Sequence, residues 1–181
     1  MSDGELARLA LAGREDGFRR LLDRHRDAVF RLVRSLVGDS DAALDITQEA
    51  FVSGFAALKR YDPERPFRAW MSRIAVNKAR DWARRRKVRS FFSRAVDIDE
   101  AITVADDAPI SDTIIFHRVE LARAMKAIAT LPHNLREVLV LRTIEDLPEA
   151  DTATILGISG KAVETRLYRA RKQLNEILGA S

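Results

Sequence analysis

The sequence has no cysteine in 181 residues. That excludes disulfides, thiolate metal sites and cysteine nucleophiles, and it fits a reducing compartment. No apolar run approaches the length of a membrane span, so membrane insertion is not expected. The opening residues Met1-Ser2-Asp3-Gly4-Glu5 carry neither a basic n-region nor an apolar h-region, so no signal peptide is expected. Histidine is scarce. His25, His117 and His133 are far apart, and no HExxH-type pair exists on one helical face. A phosphate-binding loop of the GxxxxGK type is missing too. No cofactor or metal is called for, and an enzyme is the weaker of the function classes. A metal-dependent nuclease, the enzyme closest to the other signals, would cut plasmid in the presence of Mg²⁺. Strand patterns, internal repeats and low-complexity segments are also lacking.

What is present is helical and unevenly charged. Apolar residues make up 46% and charged ones 32%, a globular balance with enough apolar surface to build cores. The net charge is only +4, so the distribution is more informative than the total. Residues 68–94 hold ten Lys/Arg against one acid, Asp81. Residues 95–116 hold six acids (Asp97, Asp99, Glu100, Asp106, Asp107, Asp112) and no Lys or Arg. A basic block of this kind suits a polyanion.

The strongest local signal lies in the last quarter of the chain. Residues 147–156 read as a helix, Gly157-Ile158-Ser159 as a turn, and 160–174 as a second helix. Gly157 can take the left-handed conformation that ends a helix, and Ser159 is a good N-cap. Val163, Leu167, Ala170 and Leu174 recur at helical spacing and form one apolar face. Lys161, Glu164, Thr165, Tyr168, Arg169 and Lys172 fall opposite. A helix anchored on one side and polar on the other, after a tight turn, fits the recognition helix of a helix-turn-helix. A solvated surface helix is the plainer reading; turn, cap and periodicity together favour DNA binding.

The remaining pattern predicts an all-α fold: two small helical domains joined by a flexible acidic linker, the C-terminal one carrying the helix-turn-helix. The boundaries are 1–94, 95–116 and 117–181. Phe18, Leu21, Leu22, Val29, Leu32, Val33 and Leu36 keep one face apolar along a helix ending near Gly38. Ser40 or Asp41 can cap the next, which runs to about Tyr61. Pro66 stands near the start of a third, which runs from Phe67 into Arg84-Arg85-Arg86-Lys87. Residues 95–110 lack helical periodicity and read as linker. Leu121, Ala124, Met125 and Ile128 resume the helical signal until Leu131-Pro132, and Leu135, Val138 and Leu139 start a short helix.

Two further faces stand out in the N-terminal half. In the helix from Phe67, Trp70, Met71, Ile74 and Trp82 share a core sector, while Arg73, Asn77, Arg80 and Arg84 form a separate stripe. Guanidinium groups neutralise phosphates, and an Asn amide can read a base edge. Tyr61, Phe67 and Arg68 could offer stacking surfaces to an unpaired base. Spacing alone fits a solvated basic helix equally well; the second DNA-binding module weighs toward function. In the helix from Ala42, Leu44, Phe51, Phe55 and Leu58 cluster on one side. Asp45, Gln48, Glu49 and Val52 make an adjoining acidic face that would repel DNA and suit a basic protein surface, although a solvated face would look the same.

The motif Asp45-Ile-Thr-Gln-Glu-Ala-Phe51, with Trp70-Met-Ser-Arg-Ile-Ala-Val-Asn77, Asp81 and an Arg cluster, resembles the second conserved region of bacterial sigma factors. Leu131-Pro132, Leu135-Arg-Glu-Val138, Leu141-Arg142, Leu156-Gly-Ile-Ser159 and Val163-Glu-Thr-Arg-Leu-Tyr-Arg-Ala-Arg171 resemble their fourth. A short chain with these two regions and a linker is similar to the extracytoplasmic-function group. The resemblance implies a cytoplasmic bacterial subunit that binds core RNA polymerase, recognises promoters and helps melt them, in a stress or envelope response under an anti-sigma factor. It implies that Asp45, Gln48, Glu49 and Val52 meet the clamp of the largest polymerase subunit, with Phe51 supporting that helix from the core. The flap of the second-largest subunit is a further implied contact. Phe67, Arg68, Arg73, Asn77, Arg80 and Arg84 are implied at the minus-ten element, where a base is flipped out. Lys161, Glu164, Thr165, Tyr168, Arg169 and Lys172 are implied at the minus-thirty-five element, and the linker in the polymerase channel.

Two residues depart from the family pattern. Glu164 stands where many relatives have Lys or Arg; a carboxylate can accept from a cytosine amino group but repels phosphate. Thr152 stands where an aliphatic residue is usual, and its hydroxyl is expected to bond a carbonyl one turn back. A two-domain transcriptional regulator shares the helix-turn-helix but neither the Arg/Asn stripe nor the acidic face.

Overall fold

Ser2 opens the first helix. The computed structural model describes residues 1–92 and 112–179, with side chains for 1–90 and 120–179. In α1 (Asp3–Leu11) Ser2 Oγ accepts from Glu5 N at 3.2 Å, and Glu5 Oε2 accepts from Ser2 N at 2.6 Å. This is a capping box, and its Ser-x-x-Glu spacing was present in the sequence as a start signal that the helical pattern did not pick out. α2 (Glu15–Val37) lies close against α1. A Cβ on Gly17 would sit 2.6 Å from Ala10 N, so only glycine allows that approach. Gly38 ends α2 in the left-handed region at φ 74°, as its sequence position predicts.

The cap of α3 (Ser40–Ala56) is Asp39, one residue before the expected Ser40 or Asp41; its carboxylate accepts from Ala42 N at 2.9 Å. The helix stops at Ala56, short of Tyr61, and a single 3-10 turn (Leu58–Arg60) follows. Its buried stripe is Ala43, Ile46, Thr47, Ala50, Phe51 and Gly54. Leu44, grouped in sequence with Phe51, Phe55 and Leu58, is 52% exposed, because the buried stripe runs one position ahead of it. α4 (Phe67–Phe92) begins after Pro66, and its Met71, Trp70, Ile74 and Trp82 pack on the core as their spacing requires.

In the C-terminal half, α5 (Asp112–Thr130) begins inside the stretch read as linker, so residues 112–116 are helical. The rest of that stretch, 95–111, lies outside the described residues. Leu121, read as part of the apolar face, is 63% exposed. α6 (His133–Leu139) passes into a π-helical turn (Val140–Ile144), closed by Glu145 N donating to Val140 O at 3.0 Å. The chain then reverses through Asp146 at φ 49°. α7 (Glu149–Leu156) starts two residues later than expected, after Pro148. Gly157 ends it at φ 68°, and Ser159 Oγ accepts from Ala162 N at 3.2 Å to start α8 (Gly160–Gly179). Thr152 is 0% exposed, and among the described residues its Oγ1 has no hydrogen-bond partner. The expected bond to a carbonyl one turn back is therefore not made.

Among the described residues there is no strand. The buried apolar cluster runs without a break from Leu6 in α1 to Ala170 in α8. α4 packs on α7, and α2 packs on α5, α6 and the π turn. The two helical domains are thus docked on each other, a contact that no periodicity announces.

Candidate nucleic-acid interface

α8 is held from one side. Val163 and Ala170 are buried, and Leu167 and Leu174 pack on the core. Lys161, Glu164, Thr165, Tyr168, Arg169 and Lys172 are all exposed, with Tyr168 at 71%. Thr165 Oγ1 donates back to Lys161 O at 2.8 Å, which leaves its methyl and lone pairs outward. One positively flanked helix face, fixed by a cap and a buried stripe, can enter a groove as a rigid unit.

The stripe on α4 divides. Arg73, Asn77 and Arg84 are exposed, Arg84 in an ion pair with Asp81 one turn earlier. Arg80 instead points at the C-terminal domain. Its Nε donates to Glu137 Oε1 at 2.5 Å and its Nη2 to Glu137 Oε2 at 2.8 Å. Arg68 Nη2 donates to Glu145 Oε2 at 2.6 Å and to Glu145 O at 2.9 Å. The structure therefore brings Arg73, Asn77 and Arg84 to one open surface, and separates Arg68 and Arg80 from it by pairing.

Phe67 corrects an expectation. It is 0% exposed, with its ring centroid 5.0 Å from His25, 5.2 Å from Tyr61 and 5.4 Å from Trp70. A ring packed on three sides offers no face to a base, so Phe67 is core. Tyr61 is buried with it, its hydroxyl donating to Arg65 O at 2.6 Å, and burial raises that hydroxyl's pKa. Trp82, half-buried on α4, keeps part of its ring near solvent, with the Arg86 guanidinium 5.1 Å from it.

Glu137 is 2% exposed. Burial pushes its carboxyl up, but the Arg80 hydrogen bonds and the His133 ring, whose Nε2 lies 3.0 Å away, outweigh burial and hold it below the ordinary range. The same pairing raises Arg80. Arg136 is lowered by burial; its Nη1 donates to Leu36 O at 2.7 Å across the domain contact.

On α3, Asp45, Gln48, Glu49 and Val52 line an open groove of about 530 Å³ with Ser53 and Lys78. Val52 is 71% exposed, and Leu44, two turns earlier on α3, 52%. Lys78, absent from the sequence-based set, lies 3.7 Å from Glu49. Its place one residue after Asn77 on α4 was the available signal. Among the described residues no group of His, Asp and Glu is placed to hold a metal, and no helix is long and apolar enough to cross a membrane.

Residues 21–89 match the family Sigma-70 region 2, and residues 121–174 match Sigma-70, region 4. The RNA polymerase sigma factor CnrH of Cupriavidus metallidurans is 39% identical over 99% of this chain and 95% of its own. The chain belongs to the extracytoplasmic-function group of RNA polymerase sigma factors. The ECF RNA polymerase sigma factor SigW of Bacillus subtilis is 31% identical over 92% of this sigma factor and 91% of its own length. The structure of CnrH in complex with the cytosolic domain of CnrY superposes with a TM-score of 0.73 at 33% identity, covering 100% of this sigma factor and 99% of that chain. RpoE of Bartonella quintana, crystallised with the anti-sigma factor NepR, gives the same TM-score of 0.73 at 24% identity over 90% of this chain and 96% of its own, and supports the fold alone. Members of this group are DNA-binding transcription initiation factors, not enzymes. Region 2 spans most of α2 through α4, and region 4 spans α5 from residue 121 to most of α8. Every candidate site residue falls inside one of the two.

Proposed function

We propose that this sigma factor docks core RNA polymerase through α3, reads the minus-ten element with α4 and the minus-thirty-five element with α8, and promotes melting of the promoter. The observation that carries the reading is the α8 face: six polar side chains exposed together on a helix whose opposite stripe is buried. Lys161, Arg169 and Lys172 would meet phosphate or base edges, with Glu164, Thr165 and Tyr168 between them. On α4, Arg73, Asn77 and Arg84 are free to meet unpaired DNA, with Arg68 and Arg80 joining once released from their carboxylates. On α3, the acidic groove with exposed Val52 suits a basic and partly apolar protein surface, the clamp of the largest subunit. The flap of the second-largest subunit is proposed against region 4, and the acidic linker, read in sequence as 95–116, is proposed for the polymerase channel.

The domain assignment follows the same division: residues 1–94 for polymerase and minus-ten binding, and 117–181 for minus-thirty-five binding. Control by an anti-sigma factor in a stress or envelope response belongs to the same proposal, and the CnrH structure, solved with the cytosolic domain of CnrY bound, supports a protein partner on this fold. The setting is the bacterial cytoplasm, where the polymerase works.

Run-off transcription with core polymerase over a promoter library tests the whole reading. Specific starts should appear with this protein as the only added factor. A two-domain regulator would give none, and that outcome would remove the proposal.

A further inference from the structure

α1 lies ahead of the region 2 match, which begins at residue 21. Its first turn nevertheless reaches two places that shape the start of α4. Gly4 is buried against the loop 62–66: a Cβ there would sit 3.0 Å from Pro63 Cβ and 3.1 Å from Pro63 O. Asp3, beside it, makes a two-sided contact. Its Oδ1 accepts from Arg24 Nη1 at 2.5 Å, and its Oδ2 lies 2.9 Å from His25 Nε2. The buried His25 ring then packs on Phe67, the first residue of α4.

The loop itself is built to keep one shape. Tyr61 and Phe67 anchor its ends by burial, while the five residues between them are all exposed. The Tyr61 hydroxyl donates across it to Arg65 O at 2.6 Å. Arg65 N donates to Asp62 O at 3.0 Å, and Glu64 N to Asp62 Oδ1 at 3.1 Å. Pro63 and Pro66 fix two of its φ angles. With the Tyr61 and Phe67 rings turned inward, an unpaired base arriving at this end of α4 meets the loop rather than a ring. A loop that accepts one base and rejects three works best when it is already in position; otherwise binding must also order it.

We propose that α1 is a positioning element for minus-ten recognition: Gly4 supports the loop at Pro63, and Asp3, through His25, fixes Phe67, so that the loop and the first turn of α4 present one geometry to an extruded base. This rests on the assignment of α4 to minus-ten DNA. Arg73 and Arg84 hold phosphates whatever the loop does, so disturbing α1 costs base discrimination rather than overall attachment. The exposed faces of α3 and α8 stand on their own buried stripes and keep their geometry.

The test uses the full chain assembled with core polymerase, in run-off transcription from promoters varied one base at a time at the minus-ten and minus-thirty-five elements. Gly4→Ala is the sharpest variant. Alanine favours a helix more than glycine does, so α1 keeps its fold while the added Cβ presses on Pro63. Discrimination at one or two minus-ten positions should fall severalfold, with the urea midpoint unchanged or raised. Discrimination at minus-thirty-five and affinity for core polymerase should not move. Asp3→Ala should give the same selective loss. Asp3→Asn, whose amide can still accept from Arg24 and bond the His25 ring, should restore most of it. Unchanged minus-ten discrimination in both Gly4→Ala and Asp3→Ala overturns the proposal. So does an equal loss at the two elements, or a loss that follows the urea midpoint across the variants, since α1 would then serve folding alone. Asn77→Ala separates this proposal from the assignment beneath it. If Asn77→Ala blunts minus-ten discrimination while the α1 variants do not, positioning by α1 alone is wrong. If none of the three variants changes it, the minus-ten assignment of α4 falls as well.

Discussion

Thr152 carries a hydroxyl with nowhere to go. The residue is 0% exposed and its Oγ1 is unpartnered among the described residues. A desolvated, unpaired hydroxyl costs roughly 1–3 kcal/mol, and Val has nearly the same shape without it. Thr152→Val should therefore stabilise the fold by about 1 kcal/mol, seen as a higher urea midpoint at unchanged slope. A lower midpoint would show that the hydroxyl is satisfied. Arg169 is exposed on the outer face of α8. If it reads a guanine at two points, Arg169→Ala should cost roughly 1–3 kcal/mol at one base position. Competition binding over single-base variants decides this, since an equal loss at every position would mark a phosphate contact. Residues whose role depends on their own helix were legible in sequence: Gly157, Ser159 and the six outward positions of α8. Phe67 was not, because what buries it is His25 and Tyr61, brought from other elements. An aromatic at a helix start reads the same whether its ring meets a base or a core.

At the scale of elements, α1 was missed although its capping box was in view. A nine-residue helix offers too few apolar positions for a period to stand out against the long α2. What fixes it is its approach to α2 at Gly17. In an open helix Gly→Ala gains up to about 1 kcal/mol. Here the added Cβ would meet backbone, Ala10 N at 2.6 Å and Leu6 O at 2.8 Å. Gly17→Ala should instead destabilise by roughly 1–3 kcal/mol as the helices are forced apart, and a rise in melting temperature would contradict the packing. α3 shows the opposite case. Its cap falls one residue before the nearer expected position and Leu44 leaves the side shared with Phe51, yet the acidic face stays exposed, because Asp45, Gln48, Glu49 and Val52 share a side whichever residue begins the helix. Asp45→Arg with Glu49→Arg should weaken core polymerase binding strongly. Stability should change by no more than about 0.5 kcal/mol per site, as expected for exposed positions; the Glu49–Lys78 pair is half exposed and adds little. Unchanged core affinity would move the clamp contact away from α3.

At the scale of the molecule, the domain docking was invisible in sequence because its ties span 57 residues for Arg80–Glu137, 77 for Arg68–Glu145 and 100 for Arg136–Leu36. Each arginine fits its local pattern as a free basic residue, and each glutamate as a polar position in a short helix or turn. Glu137 gives that docking a pH signature. Burial pushes its carboxyl up, and the Arg80 and His133 contacts more than reverse this, so it lies below the ordinary 4.5. A depressed folded-state value means that the docked chain binds fewer protons than the separated one, so stability rises with pH across the window. The contribution is complete above about 4.5 and is lost as pH falls through the depressed value. His25 acts elsewhere and earlier. Burial pushes its ring below 6.5 despite Asp3 Oδ2 at 2.9 Å, so its contribution is complete above 6.5 and declines as pH falls from there. His25 joins α2 to α1 and packs on Phe67, inside one domain. The His25 loss should lower the melting temperature without moving the domains apart. The Glu137 loss should register as domain separation in small-angle X-ray scattering, only below the ordinary carboxylate value, and Glu137→Gln should abolish that acid step while leaving the His25 decline in place. Separation that sets in between the two ordinary values, with Glu137 still ionised, would show that some other group holds the domains together.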